Sequence, residues 1–217
     1  MPSLVLLGDR SLIAQGLSKY LEQDGWNVTG WHRHQDLPPM PWDAILCAIG
    51  SVSPVGLWEH ETDERWAQGI SDNLLVPLGL IRSLWPLRNE SPQVCMLAGS
   101  NPNTIMSGYS AYNVGKMALL KAVEQLNEET DAKWFALGPG IVLSKIHRET
   151  LDKNWANPRL REALRSGGMA MERIYECLKW CFEQPKEVIG GRNICASDNY
   201  RKKIFAFDTW KLRRHEG

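Results

Sequence analysis

A chain of 217 residues has room for one sizeable core and too few residues for two full domains, so a single domain over 1–217 is expected. Its 43% hydrophobic and 23% charged content excludes a disordered chain, and 25 basic against 25 acidic residues leave no global field to favour nucleic acid or an anionic membrane. No segment approaches the roughly 20 apolar residues of a membrane span, and Leu4 to Leu7 is too short for a signal-peptide core, which points to the cytoplasm.

Strand and helix signals alternate along the chain. A first strand over 3–7 ends in Gly8, and a helical pattern follows through Ile13, Leu17 and Leu21 until Gly25 stops it. A second strand covers 26–31. Residues 36–41 are too rich in proline for a helix, so the crossover to a third strand over 44–49 is shortened to a loop. Thr62 caps one long helix, with Asp63 and Glu64 in its first turn, that runs through Trp66, Ile70, Leu74 and Leu78 toward Leu84 and stops at Pro86. A strand over 93–98, a Gly/Ser/Asn-rich loop and a helix carrying Tyr112 and Lys116 come next. Residues 134–137 form another strand, ending at Gly138-Pro139-Gly140. A charged, helix-prone stretch over 145–166 precedes a helix over 171–182 and a last short strand over 193–196. This order predicts a Rossmann-like, doubly wound α/β fold: a parallel sheet with helices on both faces.

Five cysteines without metal-ligand spacing read as reduced thiols. Cys177 and Cys181 share a helix face, where core packing is favoured over a metal clip because no His/Cys pair follows them. The ten tryptophans are scattered singly and read mostly as core filling, and the basic C-terminal end as a solvated tail.

In such a sheet, ligands bind beyond the carboxyl ends of the strands, and Gly8, Gly50, Ser100 and Gly138-Pro139-Gly140 all fall there. Tyr112 and Lys116 lie four apart, so phenol and ammonium emerge on one helix face, where the ammonium is expected to lower the phenol pKa. Tyr175 and Lys179 repeat the spacing on a late helix without a serine at the same distance ahead, and read as surface and core residues.

On these residues the sequence resembles the short-chain dehydrogenase/reductase family over nearly its full length. The family's Tyr-x-x-x-Lys pair corresponds to Tyr112 and Lys116, its serine to Ser100 and its helix asparagine to Asn73. Its strand-end Asn-Asn-Ala-Gly corresponds to Cys47-Ala48-Ile49-Gly50, and its proline-glycine to Pro139-Gly140, followed by Ile141 and by Ser144 at the usual threonine position. The resemblance implies that Tyr112 donates a proton to a carbonyl oxygen while hydride arrives from a nicotinamide, that Ser100 hydrogen-bonds that oxygen, that Lys116 holds the nicotinamide ribose, and that Asn73 fixes a water. Asn73 reads equally well as a polar helix residue bonded to its own backbone.

The first turn departs from the family's Gly-x-x-x-Gly-x-Gly. Here it is Gly8-Asp9-Arg10-Ser11-Leu12-Ile13-Ala14, with Leu12 and Ala14 at the second and third glycine positions. Leu12 is the harsher change if that position needs positive φ, although Ser11 as a helix cap leaves backbone N–H groups for phosphates. The second strand ends in Trp31-His32-Arg33-His34 with no acid. Arg10 and Arg33 there suit a 2′-phosphate, which favours NADP(H) over NAD(H), and otherwise read as surface arginines.

The leading expectation is an NADP-dependent oxidoreductase interconverting a small-molecule carbonyl and alcohol, without metal, nucleic acid or membrane partners. A homodimer or homotetramer is carried over from the family. The alternatives are a non-catalytic nucleotide-sensing or scaffold protein, and an enzyme that keeps its cofactor bound, as related epimerases do. Residues 145–170 occupy the substrate-loop position, where His147, Arg148 and Arg159 either meet an anionic group or form an exposed charged helix.

Overall fold

The computed structural model describes residues 1–99, 105–143 and 158–203. Six strands, β1 (Ser3–Leu7), β2 (Asn27–Trp31), β3 (Trp42–Cys47), β4 (Arg88–Leu97), β5 (Lys133–Gly138) and β6 (Asn193–Cys195), pair in parallel in the order β2-β1-β3-β4-β5-β6. The helices are α1 (Leu12–Gln23), α2 (Asp63–Asn73), α3 (Leu75–Leu84), α4 (Ser110–Glu129), α5 (Pro158–Ser166), α6 (Met171–Glu183), α7 (Lys186–Ile189) and α8 (Tyr200–Lys203). The doubly wound expectation holds. β2 and β3 flank β1 on opposite sides, so the winding reverses there, and the 32–41 connection crosses without a helix, as its prolines require.

Each inner strand is apolar on both faces, and the period of two sorts its residues into two layers. Leu4, Leu6, Ala44, Leu46, Cys95, Leu97, Phe135 and Leu137 face α1 and α6; Val5, Leu7, Ile45, Cys47, Val94, Met96, Trp134 and Ala136 face α3 and α4. Cys177 and Cys181 are fully buried in the first layer, which bears out their reading as core. Tyr175 and Lys179, the second Tyr-x-x-x-Lys pair, both donate to Asp24 Oδ2 at the end of α1, so this pair joins two helices away from the strand ends. Lys133, also buried, donates to the carbonyls of Cys181, Phe182 and Gln184 at distances of 2.6–3.0 Å and so caps the C-terminus of α6. Trp31, Trp42 and Trp134 are core residues, whereas Trp58 is 69% exposed. Among the described residues, no helix is long and apolar enough to cross a membrane.

Two expectations need correction. The single helix from Thr62 to Leu84 is broken at Leu74 (φ −129°, ψ −66°) into α2 and α3. Pro77 is the cause: it has no N–H to give to the Asn73 carbonyl four residues back, and its ring collides with that carbonyl. Strand β4 begins at Arg88, five residues before the expected start, with Ser91 in the left-handed region (φ 54°) and a register shift opposite Trp42 and Ala44. Pro92 and that irregularity hide the strand's first half from a reading by propensity.

Candidate active site

The winding reversal brings two strand ends together at Gly8 and Ala48. Gly8 has φ 86°, and a Cβ there would lie 3.1 Å from the Ala48 carbonyl carbon, so the turn needs glycine for both conformation and space. Ala48 N donates to Leu7 O at 2.8 Å, which fastens the end of β3 to that of β1. Ser11 caps α1 by accepting from Ala14 N at 3.0 Å, as expected. Leu12, the first helical residue, keeps φ out of the positive range, so the missing glycine strains nothing; its side chain stands 48% exposed at the helix mouth. The N–H groups of Leu12 and Ile13 lie in the first turn of α1, where no carbonyl of the helix itself can accept from them, an arrangement that suits an anion.

Strands β3 and β4 end side by side, and α2 packs against α4. Gly69 and Gly115 make the approach close: a Cβ at Gly115 would lie 2.9 Å from Asn73 Cβ, and one at Gly69 would lie 2.9 Å from Ala111 Cβ. Trp66 Nε1 donates to Ser110 Oγ at 2.9 Å and ties the two helices at the start of α4. Buried Asn73 therefore points into the corner formed by residues 50–51. Its Nδ2 donates to Ser51 O (2.6 Å) and Gly69 O (2.8 Å), and its Oδ1 accepts from Ser51 N (3.2 Å). One of these bonds returns to its own helix, as for a polar helix residue, and two hold the loop after β3. Asn73→Ala leaves those buried backbone groups unpaired and is expected to cost about 2–3 kcal/mol in urea denaturation.

Lys116 reaches the same corner from α4. Its Nζ donates to Leu97 O at 2.9 Å and lies 3.0 Å from where a Cβ on Gly50 would be, with Asn73 Oδ1 2.9 Å from that point. This explains the glycine at position 50: any side chain would displace both groups. One turn earlier, the Tyr112 hydroxyl lies against Gly99, 3.5 Å from a Cβ built there, and thus at the end of β4. Tyr112 and Lys116 do converge on one strand end, yet the expected lowering of the phenol pKa does not follow. Burial pushes Tyr112 up to about 12. Burial also pushes Lys116 down to about 8, with only partial support from the Cys47 thiol, and the ammonium is occupied by a backbone carbonyl. Cys47 itself is pushed up to about 11 by burial, against the Ile49 backbone N–H and Lys116.

On the far side of the crevice, buried Pro139 is followed by Gly140 (φ 78°), and Ile141 O accepts from Met169 N at 2.8 Å. The turn after β5 is thereby fastened to the residues just before α6. Ser100, Ser144, His147 and Arg148 lie outside the described residues. Arg159 falls within α5. Arg10 and Arg33 are exposed near the end of β2, where Arg33 Nε donates to His34 Nε2 at 3.3 Å.

No family model matches this chain, and no curated protein does. Solved structures do. A short-chain dehydrogenase/reductase from Saccharomyces cerevisiae aligns over 94% of this chain and 99% of its own, with 14% identity and a TM-score of 0.74. A short-chain dehydrogenase from Shigella flexneri, complexed with NADP, aligns over 91% and 97%, with 13% identity and a TM-score of 0.74. A 4-hydroxyisoleucine dehydrogenase complexed with NADH aligns over 90% and 96%, with 16% identity and a TM-score of 0.71. The chain has the short-chain dehydrogenase/reductase fold.

Within that fold the residues present suit a nicotinamide dinucleotide. Gly8 lets the backbone turn tightly at the mouth of the crevice, the head of α1 offers free N–H groups, and Gly50 leaves room beside Lys116. Sequence reasoning missed three contributors: Gly69 and Gly115, which set the approach of α2 to α4, and Asp9, whose carboxylate packs on Gly30 of β2. The glycines at matched levels of two helices were the available signal for the first two. Nothing in the sequence marks Asp9 as other than a solvated turn residue.

Proposed function

We propose that the chain is an NADP-dependent oxidoreductase interconverting a carbonyl and an alcohol, with Tyr112 as acid and base. The observation that carries this reading is the convergence of Tyr112 and Lys116 on the end of β4, in a corner closed by Asn73 and Gly50. A bound nicotinamide supplies or accepts the hydride. Tyr112 delivers the proton to the carbonyl oxygen at Gly99, or removes it from the alcohol, and Ser100, the next residue in sequence, orients that oxygen. Lys116 holds ribose hydroxyls with the ammonium that now bonds Leu97 O, and Asn73 keeps the 50–51 loop in register.

Gly8, Arg10, Ser11, Leu12 and Ile13 take the phosphates and adenosine end, with Arg33 favouring a 2′-phosphate. Ala48, Gly50, Pro139, Gly140, Ile141 and Ser144 line the nicotinamide end. The whole of 1–217 acts as one nucleotide-binding domain with a substrate loop at about 145–170, in a cytoplasmic homodimer or homotetramer.

Titration of the purified protein with NADPH and NADH, followed by tryptophan quenching, tests the reading. Saturable binding with NADPH the tighter is expected, followed by oxidation of NADPH with a member of a carbonyl panel. The exposed Leu12 side chain at the mouth of α1 favours a second reading, a scaffold that has lost its nucleotide; binding of neither nucleotide would establish it.

A further inference from the structure

The end of β2 carries no acid, yet a carboxylate reaches it from the first turn. The N–H groups of Gly8 and Asp9 both donate to Trp31 O, at 2.8 and 3.2 Å, which pins that turn onto the end of β2. Asp9 then lies flat on Gly30: a Cβ at position 30 would come 2.8 Å from Asp9 Oδ2 and 2.9 Å from Asp9 Cβ. Only glycine admits the side chain there. Asp9 Oδ1 is buried without a hydrogen-bond partner, and Nδ1 of His32, the residue following β2, is likewise buried and unpartnered. An unpaired carboxylate oxygen removed from water is costly, and a ligand hydroxyl or its bound water is the donor such a corner lacks.

The corner is where a doubly wound sheet receives the ribose of the adenosine half, read elsewhere by an acid at the end of the second strand. Arg10 and Arg33 are exposed, so their attraction for a phosphate is screened. The partly buried Asp9 charge is screened less.

We infer that Asp9 is the specificity-determining carboxylate of this chain: it serves the unphosphorylated ribose of NAD(H) and opposes the 2′-phosphate of NADP(H), limiting the preference that Arg10 and Arg33 create. The inference rests on the nicotinamide-dependent reading above.

Dissociation constants for NADPH, NADH, 2′,5′-ADP and 5′-AMP, measured by tryptophan quenching on the unsubstituted chain, Asp9→Asn and Gly30→Ala, test it without any substrate. Asp9→Asn should raise the affinity ratio of phosphorylated to unphosphorylated ligand by about tenfold, in both the dinucleotide and the fragment pair. Gly30→Ala, which expels the carboxylate from its slot while keeping the charge, should weaken 5′-AMP more than 2′,5′-ADP. Equal weakening of all four ligands by both variants would make Asp9 a structural residue of the turn and overturn the inference. Failure of the unsubstituted chain to bind either dinucleotide would overturn the oxidoreductase reading, and the inference with it.

Discussion

Replacing Tyr112 with phenylalanine should lower carbonyl turnover by about 10³-fold while nucleotide affinity stays within about twofold. The ring is half-buried against Gly99, so phenylalanine keeps the packing and removes only the hydroxyl. The size of the effect follows from the state of the proton. With burial holding the phenol at about 12 before nucleotide binds, Tyr112 is fully protonated at neutral pH and ready to act as an acid. Reduction should therefore be nearly flat from neutral pH to the point where nucleotide affinity fails. Oxidation needs the phenolate and should climb with pH across the same range. Steady-state rates in both directions, with nucleotide Kd measured alongside, separate the chemical step from binding. Retention of more than about a tenth of the turnover would remove Tyr112 from the acid–base role.

The sheet was legible because β1, β3 and β5 are apolar runs of strand length bounded by glycine, proline or polar turns, and parallel strands buried on both faces need that composition. The caps at Ser11 and Thr62 were legible because a hydroxyl at a helix start has one economical use. The break at Leu74 is hidden because the apolar spacing continues through Leu74 and Leu78 past Pro77; periodicity reports which face is buried, not whether the backbone bonds are continuous. The electrostatics of the Tyr112–Lys116 pair could not be read from spacing. Four residues place two side chains on one face, but Lys116 is long enough to find Leu97 O, and that carbonyl competes for the ammonium. Asp9 was hidden for a related reason. A carboxylate in a turn reads as solvated unless one knows that residue 30, paired on the neighbouring strand, has no side chain to keep it out.

Nucleotide affinity should fall about tenfold between pH 7 and 9.5, and Lys116→Met should bind weakly and without that pH dependence. Burial lowers the Lys116 ammonium from its ordinary 10.5 to about 8, so the charge that meets the ribose and its neighbouring phosphates is present below pH 8 and lost above it. The stability consequence has the opposite sign. An unfolded lysine keeps its proton up to 10.5 while the folded one releases it near 8, so in between the unfolded chain binds more protons and this group's contribution to stability rises with pH. Lys133, also lowered to about 8 by burial, adds a term of the same sign. The thiols oppose both: Cys47 is raised from 9.0 to about 11, so its contribution falls once the unfolded thiol ionises above pH 9. Between pH 8 and 9 the lysines dominate, and affinity should weaken while the Tm of the free protein holds or rises. A Tm that falls in step with affinity over that interval would mean that alkaline loss of binding is unfolding rather than titration of Lys116. An affinity that stays flat in the unsubstituted chain would mean that Lys116 does not carry its charge to the nucleotide.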